Sequence, residues 1–132
     1  MSPEKVLYTL LDADVSVAAI VGDRIYQDAR PEGDALPGVV IGLVSDNQIP
    51  PIDSTPGQQV WQARLDAICI ATGSAAAKTL ADAVLLAANL QSGSIGGVTV
   101  ASVIADGRGP SLYDPLTELY TQPVEFTILY YR

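Results

Sequence analysis

The stretch from Gln58 to Ala71 alternates more strictly than any other part of the chain. Trp61, Ala63, Leu65, Ala67, Cys69 and Ala71 fall on one side, and Gln62, Arg64 and Asp66 fall on the other. Successive side chains of a strand point to opposite faces, so this period of two predicts a half-buried strand. Such a strand spans ~45 Å at ~3.3 Å per residue, well beyond the usual length of ~5–6 residues. One small sheet does not easily cover it. Either the strand bends at a bulge, or its Gln58 end projects with the preceding loop as a hairpin arm. Ile49 and Ile52 lie in that loop among prolines. They either pack on the loop itself or dock on a neighbouring subunit.

Around this strand the remaining elements can be placed. Ser2-Pro3-Glu4 is a helix start, with a capping hydroxyl, a proline at the first turn and an acid at the positive end of the dipole. Val6, Leu7, Leu10 and Leu11 follow at helical spacing. Asp12 and Asp14 break this helix and cap a second one, which ends at Gly22 in a left-handed stop. Arg24–Gln27 reads as a short strand, 29–37 as a loop, and Val39–Val44 as a buried strand. Thr72-Gly73-Ser74 opens a helix that runs to about Leu90. A strand Val98–Ala105 follows the glycine-rich turn at Gly93–Gly97. The last strand, Leu119–Tyr131, comes after a loop and keeps Pro123 near its start or at an edge. The prediction is a single α+β domain over 1–132. It has a mainly antiparallel sheet of four to five strands packed against one long helix, with two short N-terminal helices.

Composition narrows the chemistry. With 48% apolar residues, the chain can build a core without disulfide or metal. The single Cys69 has no internal partner and reads as a small core residue. Histidine is absent, which removes Ser-His-Asp and Cys-His nucleophile systems and the commonest transition-metal ligand. No enzyme activity, cofactor or metal is therefore expected. Neither a targeting signal nor a membrane span stands out, and a soluble protein is expected. Fifteen acids against seven bases leave a net charge of −8, which repels phosphate backbones. Sequence-specific nucleic-acid binding is not expected. The acids Asp23, Asp28, Glu32, Asp34, Asp46 and Asp53 face only Arg24 and Arg30 in their stretch. They serve solubility, or they line a passage through which nucleic acid slides without sticking.

Three apparent motifs carry no chemistry on inspection. Asp12, Asp14, Ser16 and Asp23 mimic a calcium loop, but Val17 stands where the sharp turn needs glycine. The glycines at 93, 96 and 97 lack the lysine of a phosphate loop and read as a turn. Asp106 and Arg108 offer an acid and a base in a loop, read as a surface pair or a binding element.

Apolar positions without an obvious core role suggest association. In the long helix Leu80, Val84 and Ala87 centre one face, while Leu85 falls on the opposite one with Leu86 beside it. The last strand carries Val124, Phe126, Ile128 and Tyr130 on one face. Leu119, Leu129 and Tyr131 recur on its second face, which a solvated sheet would keep polar. The candidate interface residues are thus Ile49, Ile52, Leu85, Leu86, Leu119, Leu129 and Tyr131.

The run L-L-D-A-D-V-S-V-A-A-I-V-G-D-R-I-Y, followed by L-P-G-V-V-I, resembles the tail-completion or tail-terminator family of long-tailed bacteriophages. R-L-D-A-I-C-I-A and the ending L-Y-D-P-L-T-E-L-Y fit the same pattern, so the resemblance covers Leu7 to Tyr131. It implies a structural virion protein that forms a homohexameric ring on the finished tail tube. Its implied partners are further copies of itself, the tail tube protein and a head-tail connector protein. The implied location is the head-proximal end of the tail, after assembly in the host cytoplasm. Another neck or tail connector component of similar fold, or a small acidic binding module, are the alternatives.

Overall fold

The computed structural model describes residues 2–29, 35–49 and 59–131. Helix α1 (Pro3–Ala13) begins where the Ser2 hydroxyl accepts from the Lys5 N–H at 3.3 Å, with proline in its first turn. It buries Val6, Leu7 and Leu11. Asp14 ends α1 and caps α2 (Val15–Val21), accepting from the Val17 N–H at 3.0 Å. Helix α2 stops at Gly22, whose φ of 61° is a conformation that side chains disfavour.

The strands are β1 (Ile25–Gln27), β2 (Gly38–Gln48), β3 (Val60–Ala71), β4 (Gln91–Ile95), β5 (Val98–Arg108), β6 (Leu112–Asp114) and β7 (Leu119–Tyr131). Helix α3 (Ser74–Ala88) separates β3 from β4. They form one curled seven-stranded sheet in the order β1-β2-β3-β7-β5-β4, with β6 pairing the start of β7. Among the described residues only β1 and β2 run parallel; the other pairs are antiparallel. The three helices share one core with alternate residues of the sheet, including Leu65, Val124, Phe126 and Ile128. Each such side chain contributes about 1.5–3 kcal/mol by leaving water.

The α+β class and the antiparallel sheet hold, but four to five strands on one long helix does not. The sheet has seven strands, and α1 contacts β1, β2, β3 and β4 in addition to α3. Two strands were invisible for a physical reason. Strand β4 is Q-S-G-S-I with only Ile95 buried, and β6 is three exposed residues, so neither carries an apolar alternation. Their backbones are recruited by β5 and β7. Strands β2 and β5 likewise continue past their apolar parts, because ladder hydrogen bonds do not require burial.

Over its described residues the long strand has no bulge of its own, and the Gln58 end with the preceding loop, the alternative hairpin arm, lies outside the described residues. Strand β3 pairs β7 without a register shift from Val60–Tyr131 to Ala71–Tyr120, and pairs β2 from Trp61–Gln48 to Ile70–Gly38. The irregularities lie on either side of the β3–β7 pair, between Leu43 and Ser45 in β2 and at two places in β5. The outer strands thus absorb the twist mismatch.

Pro123 lies inside β7, which is central and not an edge. Its carbonyl accepts from the Gly109 N–H at 3.0 Å, so its backbone polar groups face the junction between β5 and β6 and leave the β3 ladder intact. The Gly109 carbonyl would face the N–H that proline lacks. The buried Gln122 amide donates to it instead, at 2.7 Å.

Candidate assembly interface

The G-D-R-I-Y and L-P-G-V-V-I segments meet in space as a positioning device. Arg24 Nε donates to the Pro37 carbonyl at 2.9 Å and its Nη2 to the Ile20 carbonyl at 3.4 Å. The Val39 N–H donates to the Arg24 carbonyl at 3.1 Å, starting the parallel β1–β2 pair. Gly38 fits there because a Cβ would stand 3.4 Å from that same carbonyl oxygen. The guanidinium therefore ties the end of α2 to the entrance of β2.

Among the described residues, the side chains singled out for reactivity lie apart or are engaged elsewhere. Cys69 is buried and its thiol is pushed up to about 12 by desolvation, the opposite of an activated nucleophile. Asp106 and Arg108 lie in β5, not in a loop. Arg108 pairs with Asp82 on α3 at 2.8 Å, while Asp106 accepts from the Thr127 hydroxyl. Among the described residues no acidic, histidine or cysteine cluster suits a metal ion.

The sheet face away from the helices has a distinct central row. Gly42, Asp66, Glu125 and Gly107 are successive cross-strand partners in β2, β3, β7 and β5. The two carboxylates thus stand side by side, flanked by residues without side chains. Desolvation first, then the Glu125 charge, raise the Asp66 carboxyl, and Arg64 partly offsets them.

The sequence-predicted interface residues divide between two surfaces. On the sheet, Ile49, Val60, Tyr131 and Thr99 form a row at one end, because the Ile49 N–H donates to the Val60 carbonyl and Val60 pairs with Tyr131. Ile49 is 38% exposed and Tyr131 40%. Half-buried Leu129 sits in the neighbouring row, opposite Gln62. Leu119 shares the face but belongs to its other end, so it does not join this patch. Ile52 lies outside the described residues.

On the helical side, Leu86 is 76% exposed. Leu85 departs from its expected place opposite the core: it is half-buried and packs against it. Ala81 and Ala88, one turn to either side, are buried, and α1 and α2 cover that flank of α3. The apolar face of α3 is wider than a single-helix projection implies.

Sequence reasoning missed Leu90, Leu112, Tyr113 and Leu116, all strongly exposed. Leu90 has φ 63° and follows the end of α3 one turn after Leu86. Leu116 had the clearest signal: it follows Asp114-Pro115, a turn dipeptide, where a leucine has no core to enter.

The profile of the tail completion protein gp17 family matches residues 5–131. No protein of curated function matches the chain in sequence. Among solved structures, a chain of the virion of a native gene transfer agent particle is similar. It has a TM-score of 0.70 at 21% identity, covering 99% of this chain and 96% of the other, a likeness of fold. With nearly the whole chain matched by that profile, the protein belongs to the tail completion protein gp17 family and is a structural protein of phage tails.

Proposed function

We propose that the protein caps the finished tail tube as a homo-oligomeric ring, with six subunits as the reading. The cap ends tube polymerisation and offers the surface on which a head-tail connector protein joins. The carrying observation is family membership in a chain that exposes apolar residues on both layers, Leu86 and, just past the end of α3, Leu90 on the helical side, and Ile49 and Tyr131 on the sheet. A head-to-tail ring requires two different complementary patches per subunit, and these surfaces supply two. The mechanism is association: apolar surfaces leave water between subunits, and other loops meet the last tube ring. On this reading the protein sits at the head-proximal end of the tail, after assembly in the bacterial cytoplasm.

The net charge of −8 supports a lumen that DNA traverses without being held. Deleting the gene in its phage and imaging the lysate tests the proposal. Heads separate from tails, and tails of abnormal length, are the expected result. Normal infectious particles would end the reading.

A further inference from the structure

We propose that the turn between β6 and β7 of one subunit seats Leu116 in a hollow between α1, α3 and the β4–β5 hairpin of the next. This contact rests on the ring reading above.

The turn is built to hold a leucine outward. Leu116 is 93% exposed at its tip. The Asp114 carboxylate accepts from the Leu116 N–H at 2.9 Å, and the Asp114 carbonyl accepts from the Glu118 N–H at 2.7 Å. Behind the tip, the rings of Tyr113 and Tyr120 pack together tilted at 44°, with centroids 4.7 Å apart. These bonds fix the turn's backbone, so less backbone freedom remains to be lost on docking, which favours a contact role.

The hollow has a volume of about 350 Å³, with Leu10, Ala13, Ala87 and Ile95 as its apolar lining. Its charge complements the turn. Asp114 and Glu118 are exposed acids at the knob. Exposed Lys5 stands at the Gly96 rim of the hollow, where a Cβ on Gly96 would lie 3.4 Å from the Lys5 Cγ. Among the described residues no carboxylate pairs with Lys5. Asp14, also in the lining, lies at the far end of α1 and is engaged by the Val17 N–H.

Knob and hollow occupy opposite ends of the molecule. Asp114 pairs with Leu119 at the start of β7, whereas Thr99, next to the β4–β5 turn, pairs with Tyr131 at its end. The 13 residues of β7 separate them by ~40 Å at ~3.3 Å per residue. A subunit therefore cannot fill its own hollow. Each contact leaves a free knob at one end and a free hollow at the other, and this head-to-tail pattern continues until a ring closes.

The test uses purified particles carrying Thr117→Cys and Ser94→Cys in one chain, treated with a short thiol-to-thiol cross-linker, with copies per particle counted by mass spectrometry. Both positions are exposed, Leu116 itself is kept, and the native Cys69 is buried. A ladder of covalent oligomers reaching the full copy number is expected. Several copies per particle without cross-links, or with dimers alone, would overturn the knob-and-hollow contact while leaving the ring. One copy per particle would sink both. A second arm reverses charge: Lys5→Glu should lower the yield of infectious particles at least tenfold, and Glu118→Lys in the same chain should restore it. A loss that Glu118→Lys does not restore counts against the contact.

Discussion

Gln122 shows how one side chain makes an otherwise forbidden residue acceptable. Proline in a central strand removes a ladder donor, yet the Gln122 amide donates to the Gly109 carbonyl in its place. Gly109 is required as well, since a Cβ there would stand 2.8 Å from the Pro123 ring. Gln122→Leu should cost about 1–3 kcal/mol by leaving that carbonyl without its amide donor, measured as a lower urea midpoint with unchanged slope. Asp66 makes the opposite kind of prediction. Its carboxyl is raised above the ordinary 3.8 by burial and by Glu125, so the folded chain holds the proton more tightly than the unfolded one. Its favourable contribution is complete below that ordinary value and is lost as pH rises through the raised one. Asp66→Asn should therefore match the wild type in acid and become the more stable of the two as pH rises above 3.8, read from melts across that range. Asp66 was legible as an outward strand residue. Glu125 as its partner was not, because register between distant strands is set by the whole sheet.

Among the elements, those with their own signals were readable. Both N-terminal helices, their caps and the Gly22 stop follow from local chemistry, and the alternation of β3 survives in its buried side chains. Strands β4 and β6 follow from their neighbours instead. The β4–β5 hairpin closes through Gly96 and Gly97, with φ of 59° and 80°, the left-handed pair that a two-residue hairpin turn needs. The two glycines are not equivalent. A Cβ at Gly96 would come within 2.9 Å of the Thr9 hydroxyl on α1, whereas none would be met within 4 Å at Gly97. Gly96→Ala should cost about 1–3 kcal/mol and Gly97→Ala less, since only the former adds a steric conflict to the backbone strain. Paired thermal melts of the two variants check the order.

At the scale of the molecule, three helices cover one face of the sheet, and the apolar surplus is divided between the helical layer and the ends of the sheet. Leu86 is spare for folding and, on the proposed function, useful for assembly. Leu86→Lys should change stability by no more than about 0.5 kcal/mol, as exposed substitutions do. It should nevertheless lower the yield of complete tails when supplied in trans to a deletion phage. Equal stability with undiminished complementation would remove Leu86 from the interface. Of the interface positions drawn from the sequence, Leu86, Tyr131 and Ile49 are exposed, while Leu85 is half-buried instead of standing opposite the core. A helix projected alone shows one buried face, but α3 is packed by the sheet below and by α1 and α2 on its flank.

The sequence by itself determined the class of the domain, its helix starts and stops, the alternating faces of β3 and its family. Each depends on periodicity, capping chemistry or the order of short motifs, which act over a few residues. Only the tertiary structure decided the length and neighbours of β3, how far it runs, and which apolar residues remain outside. The alternation from Gln58 to Ala71 marked a strand too long for a small sheet. Two long partners, β2 and β7, cover nearly all of it, because ladder bonding extends polar segments that no hydrophobic pattern reveals.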